Sequence, residues 1–441
     1  MKSKELLFWI WLSEALPAGS PAFRRLIELY DNPYELFDAD EAEIERISEL
    51  TERVKQKLCD KNLSHAAEIL SACEQEDVGV LTWGDPRYPD LLREIKNPPV
   101  LLYYRGELPD FAKTLCIGMV GTRRMSAYGM RAAYKIAYEL AAMNVLVVSG
   151  MAAGIDGVCG AAALAAKGGT VAVLGCGIDV VYPAHHKNLY GQIARNGLIL
   201  SEYPPGTRPN SYHFPMRNRI ISGLSRATVV VEAGLGSGSL ITAREAILQG
   251  RDVFALPANV GNEGAEGTNG LLRDGARLAL NALDVMTPYE ILYPQTVFRE
   301  RLEKAQKASD PDLWFLQQMG VIASDEQAPA EQTETPVRMP SKKRERGAEY
   351  PRCAEKQAPH REEQREQKTE PQASKCTPDQ VISSLTPVQL AIMETIPDDR
   401  AIAVDAICAV DFPHGEVIAA LTMLEIMGLI QKLPGALYKK A

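Results

Sequence analysis

Residues 115–129 read LCIGMVGTRRMSAYG, in which an apolar run leads through a glycine-containing loop into a helix-compatible segment. Apolar runs without polar alternation recur at residues 145–149, 171–174, 198–200, 228–232 and 253–256. Helix-compatible segments separate most of these runs, for example at residues 128–143 and 155–167. Strands of this kind, separated by helices, form parallel sheets that are buried on both faces. The pattern predicts a doubly wound α/β domain, which binds ligands at the carboxyl ends of its strands.

The chain of 441 residues is long enough for about three domains. The predicted segments are a helical domain (1–80), a proline-rich connector packed on the next domain (81–113), the α/β domain (114–290), a helical extension (291–322), a disordered linker (323–379) and a winged-helix module (380–441). The linker is predicted because charged residues, glutamine and proline replace nearly all aliphatic residues there. The last module is predicted from two helical apolar patterns followed by LIQKLPGALYKK (429–440), a hairpin pattern.

The net charge of −9 argues against a nucleic-acid partner, whose usual footprint is basic. The distribution of charge reverses that argument. Residues 1–113 carry a net charge of −8, residues 114–286 carry +4, and residues 287–441 carry −5. The sequence SKKRER (341–346) is compatible with a nucleic-acid patch, but the acidic residues around it favour a solvated tether. The α/β domain is therefore the expected site for an anionic partner.

The first 20 residues allow two interpretations. Lys2, Lys4 and the run LLFWIWL are compatible with a signal peptide, whereas Glu5 and Glu14 interrupt that pattern and favour a buried first helix. No apolar run approaches the ~20 residues that span a bilayer, so no membrane partner is expected. The eight cysteines form no CxxC pair and no metal-ligand spacing, which predicts reduced core thiols, a cytoplasmic protein, and neither metal nor cofactor.

Glycines and hydroxyl residues follow several predicted strands, in SGMAAGID (149–156), GCGIDVVYP (175–183), SEYPPG (201–206) and EAGLGSGSLIT (232–242). Glycines let a backbone approach a phosphate, and the N-terminus of the following helix offers unpaired N–H groups. One such loop is equally compatible with a tight turn, with Asp156 as a helix cap. Several in succession predict an extended anionic groove. The patterns G-x-x-x-x-G-K-S/T and G-x-S-x-G are absent, which argues against P-loop and α/β-hydrolase chemistry.

Taken together, these motifs resemble the DNA-processing protein A family, called DprA or Smf. Further matching stretches are YPDLLREIKNPPVLLYYRG (88–106), HFPMRNRIISGLS (213–225), GRDVFALPA (250–258) and GTNGLLRDGA (267–276). The resemblance implies an extended Rossmann-like fold between a helical domain similar to a sterile alpha motif and a winged helix. It also implies a non-enzymatic homodimer that binds single-stranded DNA, protects incoming strands during natural transformation, and helps load the RecA recombinase.

The resemblance also assigns site residues by position. Gly121 and Arg123 match the family's G-S-R loop, Lys187 lies in the basic stretch after the YP motif, and residues 217–219 match an RNR motif. The residues predicted to bind single-stranded DNA or its phosphates are Gly121, Thr122, Arg123, Ser149, Gly150, Gly154, Lys187, Tyr212, Phe214, Arg217, Asn218, Arg219, Ser237, Gly238, Ser239 and Thr242. Tyr212 and Phe214 are the preferred stacking residues. Arg217 and Arg219 are equally compatible with structural ion pairs. No catalytic residue is predicted.

Three positions depart from the family pattern: Gly160 stands where histidine is common, Ala258 replaces a glycine, and Ser211 replaces a basic residue. The second predicted helix of the winged module (414–427) has no Lys or Arg, which favours protein contact or self-association over DNA binding. Two alternatives remain for the whole chain. One is a nucleotide phosphoribohydrolase similar to the lysine-decarboxylase-like enzymes, because Glu245 follows Thr242, although the PGG of that family is missing. The other is a structural adaptor with inert loops.

Overall fold

The computed structural model describes residues 3–294, 299–323 and 387–397, together with parts of 402–440. The chain divides into two compact units, Met1–Val337 and Arg338–Ala441. The helices of the first unit are α1 (Ser3–Ala15), α2 (Ala22–Leu29), α3 (Pro33–Asp38), α4 (Glu41–Glu45), α5 (Glu52–Cys59), α6 (Ser64–Gln75), α7 (Asp90–Glu94), α8 (Ala127–Ala142), α9 (Ile155–Ala165), α10 (Lys187–Asn196), α11 (His213–Leu224), α12 (Gly238–Leu248), α13 (Glu266–Arg273), α14 (Ala282–Met286), α15 (Arg299–Ala308) and α16 (Leu313–Gln318). Apart from residue 323, the predicted linker lies outside the described residues.

The first unit is organised around one sheet of nine strands. They are β1 (Gly79–Thr82), β2 (Leu101–Gly106), β3 (Cys116–Val120), β4 (Leu146–Ser149), β5 (Thr170–Leu174), β6 (Leu198–Ser201), β7 (Ala227–Val230), β8 (Asp252–Ala255) and β9 (Arg277–Leu278). Their order across the sheet is β1-β2-β6-β5-β4-β3-β7-β8-β9. The strands from β6 to β9 in this order are parallel, whereas β1 and β2 run antiparallel to their neighbours.

Both faces of the sheet are buried, so the predicted doubly wound fold is confirmed. Along β5, Val171 and Val173 join one hydrophobic cluster, whereas Ala172 and Leu174 join the other. Each of the six predicted apolar runs forms a strand, with ends that shift by at most two residues. This agreement has a physical cause, because a strand covered by helices on both faces is apolar at every position.

The segment predicted as a connector contributes strands to the sheet. Within residues 81–113 lies β2, and β1 spans the preceding boundary. Tyr103 of β2 pairs with Ser201 of β6, so this segment extends the sheet itself. Pro98 and Pro99 precede β2 and therefore interrupt no ladder hydrogen bond.

The first helix is part of the core. Ile10 and Leu12 of α1 are fully buried, and Trp9 and Trp11 are nearly so. The buried-helix interpretation of the first residues is confirmed. No described helix combines the length and hydropathy that a membrane span requires. The described cysteines, at positions 59, 73, 116, 159 and 176, are free thiols, as predicted.

The second unit contains α17 (Pro387–Thr395) and the strands β10 (Ile402–Ala403), β11 (Ile430–Leu433) and β12 (Leu437–Lys440), arranged in the order β10-β12-β11. The predicted hairpin is confirmed, because β11 and β12 pair antiparallel. The helical positions 417, 420, 421 and 424 are buried with Ile392 and Ile396, in agreement with the predicted winged-helix pattern. The remainder of the predicted helix at 414–427 lies outside the described residues.

Candidate nucleic-acid interface

A groove of about 790 Å³ opens where the order of the sheet reverses, between β3 and β7. At such a point the connections after two neighbouring strands run to opposite sides of the sheet, which creates a crevice at the carboxyl ends of those strands. We call this crevice the switch-point groove. Its lining comes from the loops after β3, β5, β6 and β7 and from the first turns of α9, α11 and α12. The lining includes Gly121, Thr122, Arg123, Arg124, Asp156, Tyr182, Ser211, Phe214, Arg217, Asn218, Ser237, Gly238, Ser239, Ile241 and Thr242.

Two backbone contacts hold the β3–α8 loop in place. The N–H of Thr122 donates to the carbonyl of Glu232 at 2.7 Å, and the carbonyl of Thr122 accepts from the N–H of Ile155 at 3.2 Å. Gly154 makes the second contact geometrically feasible: its φ is +80°, and a Cβ on it would lie 2.4 Å from the Thr122 carbonyl oxygen. The loop is thus fixed on both sides while the Arg123 side chain remains exposed.

The N-terminus of α8 is already occupied by groups of the chain itself. The Ser126 hydroxyl accepts from the N–H of Gly129 at 3.0 Å, and the Glu232 carboxylate accepts from the N–H of Ser126 at 2.8 Å. These contacts use two of the N–H groups at the start of the helix, and binding of a phosphate by this helix stays a prediction. Glu232 lies at the end of β7, more than 100 residues along the chain, so the loop sequence alone gave no sign of this contact.

Aromatic and cationic side chains meet on one wall of the switch-point groove. Tyr182 and Phe214 lie with ring centroids 5.3 Å apart and planes tilted by 33°. The Arg123 guanidinium lies 5.3 Å from the centroid of the Phe214 ring. Tyr182 is 39% exposed. A polymer in the groove could therefore reach an aromatic face and a cation at the same place.

Arg217 and Asp156 form the floor. Arg217 is 3% exposed and donates to the carbonyls of Gly150, at 2.8 Å, and Val173. The Asp156 carboxylate accepts from the N–H of Gly150 at 3.1 Å. Burial raises the pKa of Asp156, and the nearby Arg217 charge opposes that rise. The N-cap residue of α9 is Gly154, and Asp156 lies inside the first turn of the helix, so the interpretation of Asp156 as a helix cap is wrong.

Arg219 does not reach the switch-point groove. Its side chain is buried and donates twice to the Glu202 carboxylate, each time at 2.6 Å. The N–H of Gly19, in the loop between α1 and α2, approaches the same carboxylate at 3.4 Å. The structure thus corrects the placement of Arg219 among phosphate contacts and favours the alternative of a structural ion pair.

Five other predicted site residues lie outside the groove lining. Ser149 is buried and its hydroxyl donates to the carbonyl of Met119 at 2.7 Å. Gly150 and Gly154 pack beneath the loops, because a Cβ on either would clash with neighbouring atoms. Lys187 is exposed at the start of α10, and Tyr212, 71% exposed, precedes α11. Ser149, Gly150 and Gly154 therefore lie beneath the groove loops, and Tyr212 adjoins the groove residue Ser211.

The other wall is built by the start of α12. The Ser237 hydroxyl lies 2.7 Å from that of Ser239 and accepts from its N–H at 3.4 Å. The Asn218 amide donates to the carbonyl of Gly238 at 3.4 Å, which ties α11 to α12. Both helices begin at the groove, so their positive dipole ends face its volume.

The three departures from the family pattern fall in different surroundings. Ser211 lines the switch-point groove, so the hydroxyl stands where some members carry a cation. Ala258 is held by the Asn269 amide, which accepts from its N–H at 3.1 Å and donates to its carbonyl at 3.0 Å. Gly160 is buried in α9, where a Cβ would lie 3.4 Å from Cδ1 of Ile193.

Sequence reasoning omitted Tyr182, Asp156 and Ile241 from the site. Tyr182 had a detectable signal, since it belongs to the YP motif after a predicted strand. Asp156 and Ile241 also lie in quoted strand-end loops, but which side chains face the groove depends on how α9 and α12 pack. Within the described part of the chain, no cluster of three or more His, Cys, Asp or Glu residues could hold a metal ion.

Two family profiles and several relatives point to one group. The profile of the family described as DNA recombination-mediator protein A matches residues 79–290, and the DprA winged helix domain matches residues 377–436. Protein Smf of Synechocystis is 32% identical over 447 aligned positions and covers 100% of both chains. The solved DprA of Streptococcus pneumoniae is 34% identical, with a TM-score of 0.56 over 65% of this chain and 97% of its own. DprA of Helicobacter pylori, described for its single-stranded DNA binding mode, is 32% identical with a TM-score of 0.45, over 49% of this chain and 97% of its own.

Proposed function

The chain belongs to the DNA processing protein A family, also named DprA or Smf, and from this premise we propose that it binds single-stranded DNA along the switch-point groove without altering it chemically. The observation that carries the proposal is the joint placement of Arg123, Phe214 and Tyr182 on one wall. Single-strand binding without sequence preference requires cations for the backbone and aromatic faces for the bases. This wall supplies both.

The charges of the groove support an anionic ligand. Among its described lining residues, Arg123, Arg124 and Arg217 carry positive charge and Asp156 alone carries negative charge. Asp156 is buried at the floor, whereas Arg123 and Arg124 are exposed. A phosphate that approaches from solvent therefore meets arginine first. The helix N-termini of α11 and α12 add further partial positive charge.

The aromatic wall favours a single strand over a duplex. Base faces are available for stacking only where the bases are unpaired, and each base–aromatic contact contributes ~1–3 kcal/mol. A duplex offers the groove its phosphates but withholds its base faces. We therefore expect tighter binding to single strands at every salt concentration.

A salt-series titration of the full chain tests this proposal. Labelled single- and double-stranded oligonucleotides of one sequence are titrated at several salt concentrations. The expected result is tighter single-strand binding, with a logarithmic affinity that falls linearly with the logarithm of salt. No binding to the single strand at low salt would overturn the proposal and would favour the structural adaptor.

The finer roles implied by the family, namely protection of incoming strands, loading of RecA and homodimer formation, belong to the same proposal. Nuclease protection of a bound oligonucleotide, RecA filament assembly and sedimentation of the free protein test them separately. The enzyme alternative requires release of free base from a nucleoside monophosphate, with loss of that activity in Glu245→Gln. We expect no base release above the uncatalysed rate.

A further inference from the structure

A second cavity lies directly beside the switch-point groove. It measures about 420 Å³ and is lined by Tyr128, Pro257, Ala258, Asn259 and Asn262. We call it the Tyr128 pocket. The two cavities are linked through the Asn262 side chain, whose oxygen accepts from the N–H of the groove residue Gly264 at 3.1 Å. On the other side, the groove residue Arg124 lies four positions before Tyr128 in the chain.

The Tyr128 ring is both exposed and fixed. It is 47% exposed, although it belongs to the first turn of α8. Its hydroxyl donates to the carbonyl of Pro257 at 2.8 Å, which holds the ring against the loop 257–262. An aromatic ring held in one orientation stacks on a ligand with little further loss of conformational freedom.

The chemistry of the pocket fits a nucleobase better than a phosphate. None of its lining residues is charged, and the next residue after Asn262 is the exposed Glu263, which repels a phosphate. Asn259 and Asn262 offer amide groups of the kind that bond base edges. Val260, at the tip of the same loop, is fully exposed and adds an apolar surface. Arg123 and Arg124 on the groove side supply cations for a backbone, whereas Arg131 and Lys135 line a separate cavity on α8.

We propose that the Tyr128 pocket takes one nucleobase of the bound single strand, stacked on the Tyr128 ring just beyond the switch-point groove. This inference rests on the proposed function. The phosphates of the strand remain on the arginine side, while the extruded base turns toward α8. Residue 258 forms part of this pocket, so the alanine that departs from the family pattern contributes its methyl group to a base-binding wall.

The test uses the full chain and an oligothymidylate just long enough to reach full affinity, which fixes the register. Tyr128→Ala is compared with the matched variant Tyr128→Phe, which keeps the ring and removes only the hydroxyl. We expect Tyr128→Ala to weaken binding about fivefold or more, and Tyr128→Phe to stay within about twofold of the unsubstituted protein. The salt slope should not change in either variant, since no phosphate contact is lost.

Abasic sites locate the base. A single abasic nucleotide is moved along the oligonucleotide, and one position should weaken binding of the unsubstituted protein but leave Tyr128→Ala unaffected. Identical abasic profiles for the two proteins would overturn the inference, as would a reduced salt slope in Tyr128→Ala, which would indicate a phosphate contact. If Tyr128→Ala fails to fold, Asn259→Asp at an exposed loop position replaces it, with the same expected loss at the same abasic position.

Arg123→Ala separates this inference from the proposed function. If Arg123→Ala weakens binding but the abasic profiles of Tyr128→Ala and the unsubstituted protein are identical, only the proposal of a base pocket is wrong. If the unsubstituted protein binds no oligonucleotide at low salt, both the proposed function and the base pocket are wrong.

Discussion

The Arg123 guanidinium lies over the Phe214 ring, 5.3 Å from its centroid. The two residues come from elements about 90 positions apart, the β3–α8 loop and the first turn of α11. The contact places a guanidinium and an aromatic face within the span of one nucleotide. Substitutions at these two positions should therefore affect DNA binding in different ways.

Arg123→Ala should weaken single-strand binding and reduce the salt slope by about 0.7, the value for one lost phosphate contact on a single strand. Titration with a labelled oligonucleotide at several salt concentrations measures both quantities. Arg195→Ala is the matched control, because Arg195 is exposed in the last turn of α10 and is absent from the groove lining. Equal salt slopes for Arg123→Ala and the control would show that Arg123 is not a contact.

Phe214→Ala should weaken single-strand binding by ~1–3 kcal/mol because one stacking face is lost. Phe214→Tyr keeps the ring and should bind like the unsubstituted protein. Tryptophan fluorescence and thermal melting of both variants verify that the fold is retained. Unchanged affinity of a folded Phe214→Ala would assign the ring to packing against Tyr182 alone.

Arg219→Met should lower the free energy of unfolding by about 3–5 kcal/mol, because it leaves the Glu202 carboxylate buried without its partner. Urea unfolding measures this loss. The double variant Arg219→Met with Glu202→Gln should recover part of it, since the uncompensated charge is then removed. A stable Arg219→Met with a reduced salt slope would instead identify Arg219 as a phosphate contact.

His186 should make stability fall in mild acid. Its ring is fully buried, Nδ1 donates to the carbonyl of Met151 at 3.1 Å, and burial lowers the pKa to about 4. The His186 ring takes up a proton near pH 6.5 in the unfolded chain but only near pH 4 in the folded protein. The contribution of the neutral ring to the free energy of unfolding is therefore complete above pH 6.5 and is lost as the pH falls toward 4. Between pH 7.5 and 5 the loss from this residue is about 2 kcal/mol.

Urea unfolding at the two pH values checks this expectation. His186→Asn should show a pH dependence smaller by that amount, whereas His185→Asn, at the exposed neighbouring position, should keep it. If both variants retain the full pH dependence, His186 is not the titrating group.

Removal of the winged-helix module should leave single-strand affinity unchanged. A chain that ends after residue 323 keeps the helical extension, which is anchored by the Asn188 amide on the carbonyl of Gln318 at 2.8 Å. The full chain serves as the reference, and sedimentation of both chains detects any self-association that the module provides. A large loss of affinity in the shortened chain would assign DNA contacts to the module.

The buried strands could be predicted from the sequence because a strand covered on both faces leaves a continuous apolar run. The strands β1 and β2 could not be predicted in this way, because the segment between them is rich in proline. Their extended conformation depends on pairing with each other and, for β2, with β6. Within the site, Gly121 and Arg123 followed from their motif. The different environments of Arg217 and Arg219 could not be predicted from the sequence. Residues two apart on a helix point in different directions, and the sequence does not show which groups contact each side chain.

The Glu232 carboxylate at the start of α8 has a consequence for competition among ligands. In Rossmann-type proteins the first helix N-terminus is the seat of a dinucleotide's pyrophosphate. Here that seat holds the chain's own negative charge. A free nucleotide that approached this helix as a dinucleotide does would therefore meet a carboxylate. A polymer adds many weak contacts along its length, so we expect the proposed single-strand binding to persist in the presence of abundant monomers.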